Sequence, residues 1–95
     1  MAAWVYILAN RKNGALYTGV TGDLARRTQE HHSGEVAGHT RSYRIKLLVW
    51  YAEFPSMTEA IDYEKRIKKW RRAWRIQLIE EMNPEWQDLR LDLNR

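Results

Sequence analysis

The pair Asn13-Gly14 stands between two short runs of β-branched and aromatic residues, WVYILA (4–9) and LYTGVT (16–21). Asn-Gly favours a tight reversal, and the flanking residue types suit a pleated surface, so the first twenty residues are a β-hairpin. Register then decides what the hairpin presents. If Asn13-Gly14 is a two-residue turn, Tyr17 pairs with Asn10, and Tyr6 and Tyr17 share a face about 13 Å apart along the strand, at roughly 3.3 Å per residue. A wider four-residue loop puts Tyr6 directly opposite Tyr17. Both registers give the two phenols a common face; an odd loop or a bulge would separate them.

After the hairpin, Thr21 or Asp23 caps a helix that runs to about Ser33 and stops at Gly34. Residues 35–44 are a loop. The run IKLLVWYAEF (45–54) is a third strand whose apolar continuity suits the centre or a covered side of a sheet. Pro55 ends it, and Ser56-Met57-Thr58-Glu59 is a capping box that opens a second helix. Neither glycine nor proline recurs before Pro84, so residues 57–82 form one long helix or two; the reading adopted is two, with a bend within 70–74. The tail EWQDLRLDLNR folds Trp86 and Leu89 back onto the body. The order β-β-α-β-α-α implies an α+β fold, an antiparallel or mixed sheet packed by helices.

Ninety-five residues make one domain, 1–95, with a modest core. Lysine and arginine number 16 against 12 acidic residues, and the formal charge of +4 favours an anionic partner, nucleic acid before an acidic membrane surface. The absence of cysteine excludes a disulfide framework, thiolate catalysis and thiolate-bound zinc. The apolar run 4–9 is far shorter than the ~20 residues a membrane helix needs. No basic region precedes it, and the expected location is the cytoplasm, without a targeting segment.

Within this frame three groups invite a chemical reading. Arg27 and His31 are four apart and lie on one helix face with Leu24 and Thr28, beside the phenols of the hairpin. Gly19 removes a side chain just before that helix and lets a ligand or another backbone approach. Taken singly, each has a plainer reading, a packing tyrosine or a solvated helix face.

On the second helix Ala60, Tyr63, Ile67, Trp70 and Trp74 mark a core stripe, with both tryptophans packed inward. Glu64 borders that stripe and suits one hard cation such as Mg²⁺, which keeps several waters and shares its shell with substrate phosphate. The competing reading is a surface salt bridge to Lys65 or Lys68. Lys65, Arg66, Lys68, Lys69, Arg71, Arg72 and Arg75 follow, a density of cations that can track a phosphate backbone.

Taken in order, Trp4-Val5-Tyr6, Leu16-Tyr17-Thr18-Gly19, Arg27-x-x-x-His31 and Glu64-Lys65-x-Ile67-Lys68 resemble the GIY-YIG nuclease family, closest to its small single-domain bacterial branch. The resemblance covers essentially the whole chain. It implies a three-stranded antiparallel β-sheet flanked by helices, carrying a one-metal phosphodiesterase site. On this resemblance Tyr6, Tyr17, Arg27 and His31 are the catalytic residues and Glu64 is the ligand of a single Mg²⁺ or Mn²⁺. Gly19 completes the second motif, and from the basic run itself Lys65, Lys68, Lys69, Arg71 and Arg72 are the expected nucleic-acid contacts. Asn83 matches a polar residue near the site in some members, at a longer distance from the glutamate, and a helix stop before Pro84 accounts for it equally well. Trp4 replaces a glycine and Thr18 an isoleucine of the family motifs.

The expected activity is metal-dependent endonucleolytic cleavage, DNA ahead of RNA, in repair or recombination. Arg27 is expected to lower the phenol's usual pKa near 10, so that Tyr6 can take a proton from the attacking water while Tyr17 orients water or phosphate. The competing class is a non-catalytic nucleic-acid-binding module, or a subunit that depends on a protein partner for targeting.

Overall fold

The computed structural model describes residues 2–36, 38 and 43–93; the middle of the expected 35–44 loop, at 37 and 39–42, and the last two residues of the tail lie outside the described residues. Strands β1 (Ala3–Ala9), β2 (Leu16–Thr21) and β3 (Leu47–Phe54) form one antiparallel sheet in the order β2-β1-β3. Helices α1 (Leu24–Ser33), α2 (Met57–Lys68) and α3 (Arg72–Met82) follow the expected order, and a short 3-10 helix (Leu89–Asp92) closes the described chain. The fold is α+β.

The central strand is β1, and of the two places expected for the third strand, the centre or a covered side, it takes the second. β1 is buried at every position but Trp4, as a strand covered on both faces should be. β3 is an edge strand. Its apolar run reflects local cover at Leu48, Val49 and Trp50, where a bulge inserts Val49 between the residues that pair with Ile7 and Leu8. Ile45, just before the strand, is buried as well.

The hairpin adopts neither expected register. Leu8 pairs with Tyr17 and Tyr6 with Gly19, around a four-residue loop, Arg11–Gly14, one step between the two alternatives. Asn13 takes the left-handed conformation at φ 58°. Gly14 is needed for space, since a Cβ there would fall 2.0 Å from the Asn10 Oδ1 that accepts the Ala15 N–H at 2.8 Å. The loop count is even, so Tyr6 and Tyr17 do share a face.

Side chains divide between two apolar clusters. Ala3, Val5, Ile7 and Ala9 pack with Ala60 and Ile67 of α2 and Ile79 of α3. Tyr6 and Leu8 pack with Leu24 of α1, Ile45 and Leu48. Asp23 caps α1 by accepting the Arg26 N–H at 3.2 Å, and Gly34 ends it at φ 80°. Ser56 caps α2 by accepting the Glu59 N–H, while Glu59 accepts from the Ser56 hydroxyl rather than from its backbone.

The second and third helices part at residues 69–71, overlapping the start of the expected bend. Arg71 is extended there, and the Arg72 guanidinium donates to the Asn13 carbonyl at 2.7 Å and to the Gly14 carbonyl. The core stripe therefore does not continue through the break: Trp70 is half-buried, and Trp74, expected to pack inward, is 51% exposed.

Asn83 is buried and staples the tail. Its Nδ2 donates to the carbonyls of Val49, at the bulge, and Gln87, and its Oδ1 accepts the Gln87 N–H. Trp86 folds back and is buried, donating to Glu80, and Leu89 is half-buried.

Candidate functional site

The α1-facing side of the sheet gathers the polar residues singled out in the sequence. Tyr6 projects from the middle of β1, Tyr17 from β2 beside it, and His31 from the last turn of α1 onto both. Ring centroids are 6.3 Å apart for Tyr6 and Tyr17, 5.9 Å for Tyr6 and His31, and 5.2 Å for Tyr17 and His31. Twenty-five residues apart in sequence, the Tyr6 hydroxyl and His31 Nε2 are hydrogen-bonded at 3.2 Å. The helix face holds because Leu24 and Thr28 are buried with His31, and Thr28 returns its hydroxyl to the Leu24 carbonyl.

Gly19 is the seat of this cluster. A Cβ at that position would meet the Tyr6 hydroxyl at 2.5 Å and the ring at 2.6 Å, with Tyr17 at 3.0 Å. What approaches the glycine is thus the phenol across the ladder, a closer and more specific use of the gap than the sequence suggests.

Burial pushes the Tyr6 phenol up to about 12, helped by neighbouring Tyr17 and more weakly by the charge of Glu64. Arg27 acts the other way, through a hydrogen bond to the phenol and through its charge, as anticipated, but burial wins. The expected lowered phenol is therefore overturned. His31 moves down from its ordinary value, first by burial and then by the Arg27 charge. At neutral pH the phenol keeps its proton and the imidazole is neutral, so the Tyr6 O–H donates and His31 Nε2 accepts. The imidazole proton then sits on Nδ1, which is buried without a hydrogen-bond partner among the described residues.

Arg27 is half-buried and divides itself between this cluster and Glu30, whose carboxylate it meets at 3.2 Å. Burial works against its charge, yet the bonds to Tyr6 and Glu30 prevail and raise its pKa. Glu30 also takes Arg26 at 3.3 Å. Arg26, Arg27 and Glu30 line a cleft of about 490 Å³ with Thr21, Gly22 and Asp23. The sequence reading did not single out Arg26 and Glu30, although their spacing of four marks them as partners.

Glu64 comes from α2 with its side chain only 12% exposed, and it pairs with Lys68 at 2.7 Å. Of the two lysines weighed, the structure selects Lys68. Among the described residues no group of three or more histidine, aspartate or glutamate side chains could cage a metal. One shielded carboxylate still fits a hard divalent cation that keeps most of its water and takes phosphate as a further ligand. Such a cation competes with the Lys68 ammonium for this carboxylate.

Of the other basic residues, Lys65, Lys69 and Arg71 are exposed, while Arg72 is committed to the hairpin turn. Asn83 is engaged with β3 and the tail and is not gathered with the phenols. Among the described residues no helix is long and apolar enough to cross a membrane.

Residues 2–77 match the family model of the GIY-YIG catalytic domain, a span that holds every residue of the cluster and Glu64 but not Asn83. The UPF0213 protein of Bacillus pumilus (strain SAFR-032) is 40% identical over 73 residues, which is 77% of this chain and 74% of that protein. The UPF0213 protein of Syntrophus aciditrophicus (strain SB) is 41% identical over 83 residues, 86% of this chain and 93% of its own. The solution NMR structure of the UPF0213 protein BH0048 from Bacillus halodurans is similar at a TM-score of 0.57 and 36% identity, with 93% of each chain covered.

Proposed function

The chain belongs to the GIY-YIG family, whose domain is of the nuclease type, and from that membership we propose that it is a divalent-metal-dependent endonuclease cleaving nucleic-acid phosphodiesters, DNA ahead of RNA. The observation that carries the reading is the Tyr6–His31 hydrogen bond held beside Arg27 over a glycine floor.

A phenol near 12 is a poor free base at neutral pH, but a phenol already donating to a neutral imidazole can relay. Tyr6 takes a proton from the attacking water as it passes its own to His31 Nε2. The hydroxide so formed bonds to phosphorus, the bond to the leaving oxygen breaks, and that oxygen takes its proton from solvent. Tyr17, half-buried at the cluster's rim, orients the water or a phosphate oxygen. Arg27 faces the charge that grows on the phosphate and, by disfavouring imidazolium, drives His31 to return the proton. Glu64 would hold one Mg²⁺ or Mn²⁺, which when bound would supply Lewis-acid polarisation of the phosphate and charge stabilisation for the leaving oxygen. Lys65, Lys69 and Arg71 face the substrate backbone, and Lys68 would join them wherever a cation replaces its ammonium on Glu64. We place the enzyme in the cytoplasm, in DNA repair or recombination, with a protein partner supplying its target.

The Lys68–Glu64 pair favours a second reading, a non-catalytic nucleic-acid-binding module in which the ammonium permanently replaces a metal. Cleavage of labelled single-stranded, duplex, nicked and branched DNA, and matching RNA, under Mg²⁺ or Mn²⁺ separates the two. The enzyme predicts cutting that Glu64→Gln and Tyr6→Phe abolish while binding persists. The module predicts salt-sensitive binding by all three proteins and no cutting by any.

A further inference from the structure

The break between α2 and α3 leaves one large aromatic side chain outside the core. Trp74 falls on the apolar stripe by sequence, yet half of it meets solvent because the chain is extended at Arg71 and the helix restarts at Arg72. An open tryptophan forgoes a large burial gain, so its exposure is informative. The ring is steadied rather than loose. Trp70 meets it edge-on at 6.3 Å, and the Arg71 guanidinium lies 5.5 Å from its centroid. A groove of about 320 Å³ opens beside it, walled also by Trp70, Leu78 and Glu81.

The charges around it indicate the occupant. Lys69, Arg71 and Arg75 make no ion pair among the described residues. Glu81 in the groove wall repels phosphate, so a polyanion can lay its backbone along the cations while only an uncharged group enters the groove.

We infer that Trp74, steadied by Arg71, is a stacking platform for an unpaired base of a nucleic-acid strand, with the strand's phosphates along Lys69, Arg71 and Arg75. The inference rests on the proposal that the chain acts on nucleic acid, and it adds the substrate class: a strand with at least one unstacked nucleotide, not uninterrupted duplex. Every base offers a π-face, so such a platform is indifferent to sequence, whereas bases inside a duplex are already stacked. Arg72 ties the start of α3 to the hairpin that carries Tyr17, which fixes the platform relative to the cluster.

The test is binding, by fluorescence anisotropy at two salt concentrations, of a labelled single strand, a duplex with an unpaired flap and a blunt duplex of equal length. Trp74→Ala and Trp74→Phe are compared with the parent, all carrying Glu64→Gln so that nothing is cut. Trp74→Ala is expected to weaken the single strand and the flap on the order of tenfold, leaving the blunt duplex within about twofold. Trp74→Phe, which keeps an aromatic face and guards against a folding defect in the alanine variant, is expected to restore most of the loss. Unchanged single-strand affinity in Trp74→Ala, or an equal loss on all three ligands, overturns the platform. If the parent binds none of the three oligonucleotides at either salt concentration, the platform and the nucleic-acid reading both fail. If the parent binds all three ligands and Trp74→Ala matches it on every one, only the platform fails.

Discussion

On the α1 side of the sheet the polar groups are fixed by packing, whereas at the α2–α3 junction the cations stand in solvent. Tyr6 and His31 are buried, bonded to each other and bounded by a glycine that admits no other side chain. Lys65 and Lys69 have no such constraint. The first arrangement suits a step that depends on tenths of an ångström; the second suits a long anion whose position along the groove varies. Rigid chemistry and loose capture thus occupy different parts of one small fold, and they should fail differently when altered.

The largest expected effect tests the packed side. Tyr6→Phe removes one oxygen and keeps the ring over Gly19, so cleavage should fall about 100- to 10,000-fold with oligonucleotide binding unchanged, read by single-turnover kinetics beside anisotropy. Equal losses in both would erase the distinction between the two regions. Gly19→Ala comes next. The added methyl must displace the Tyr6 ring or spread the strands, at a cost of about 1–3 kcal/mol in urea unfolding, with cleavage falling beyond what the unfolded fraction explains.

The third effect is a pH dependence. His31 is held below its ordinary value, so as pH falls the unfolded chain takes the proton first. Stability from this residue is full above about 6.5 and is lost as pH falls through the folded value. Urea midpoints across the acid range should show this fall, and His31→Gln should flatten it. Tyr6 works at the other end: its phenol near 12 holds a proton that the unfolded chain releases near 10, so its contribution is present below 10 and lost between the two values. The smallest effect belongs to the open side. Lys69→Ala with Arg71→Ala should leave stability within about 0.5 kcal/mol and lower the salt slope of single-strand binding by about 0.7 per lost phosphate contact.

Local chemistry made much of this legible. Asp23, Gly34 and Ser56 act where capping rules put them, and the even loop count kept Tyr6 and Tyr17 on one face under every register considered. The spacing of Arg27 and His31 was equally readable, because helix geometry needs no tertiary information. What escaped depends on partners distant in sequence. The edge position of β3 follows from which strand pairs with β1. The raised phenol follows from how deeply two layers bury Tyr6, a quantity its neighbours in sequence do not encode. Trp74 is exposed because three residues at 69–71 interrupt a periodicity that composition alone continues.

The Arg72 clamp on the hairpin turn bears on the order in which the molecule assembles. Its two bonds join carbonyls at 13 and 14 to a guanidinium 59 and 58 residues later. Contacts of such separation carry a high closure entropy and form late. Asn-Gly by itself prefers a two-residue reversal, so the nascent hairpin is free to sample the register anticipated from its sequence until the last long helix arrives. The register that sets Tyr6 over Gly19 is thus held in part from the far end of the chain, and the phenol cluster depends on a contact between its first and last thirds.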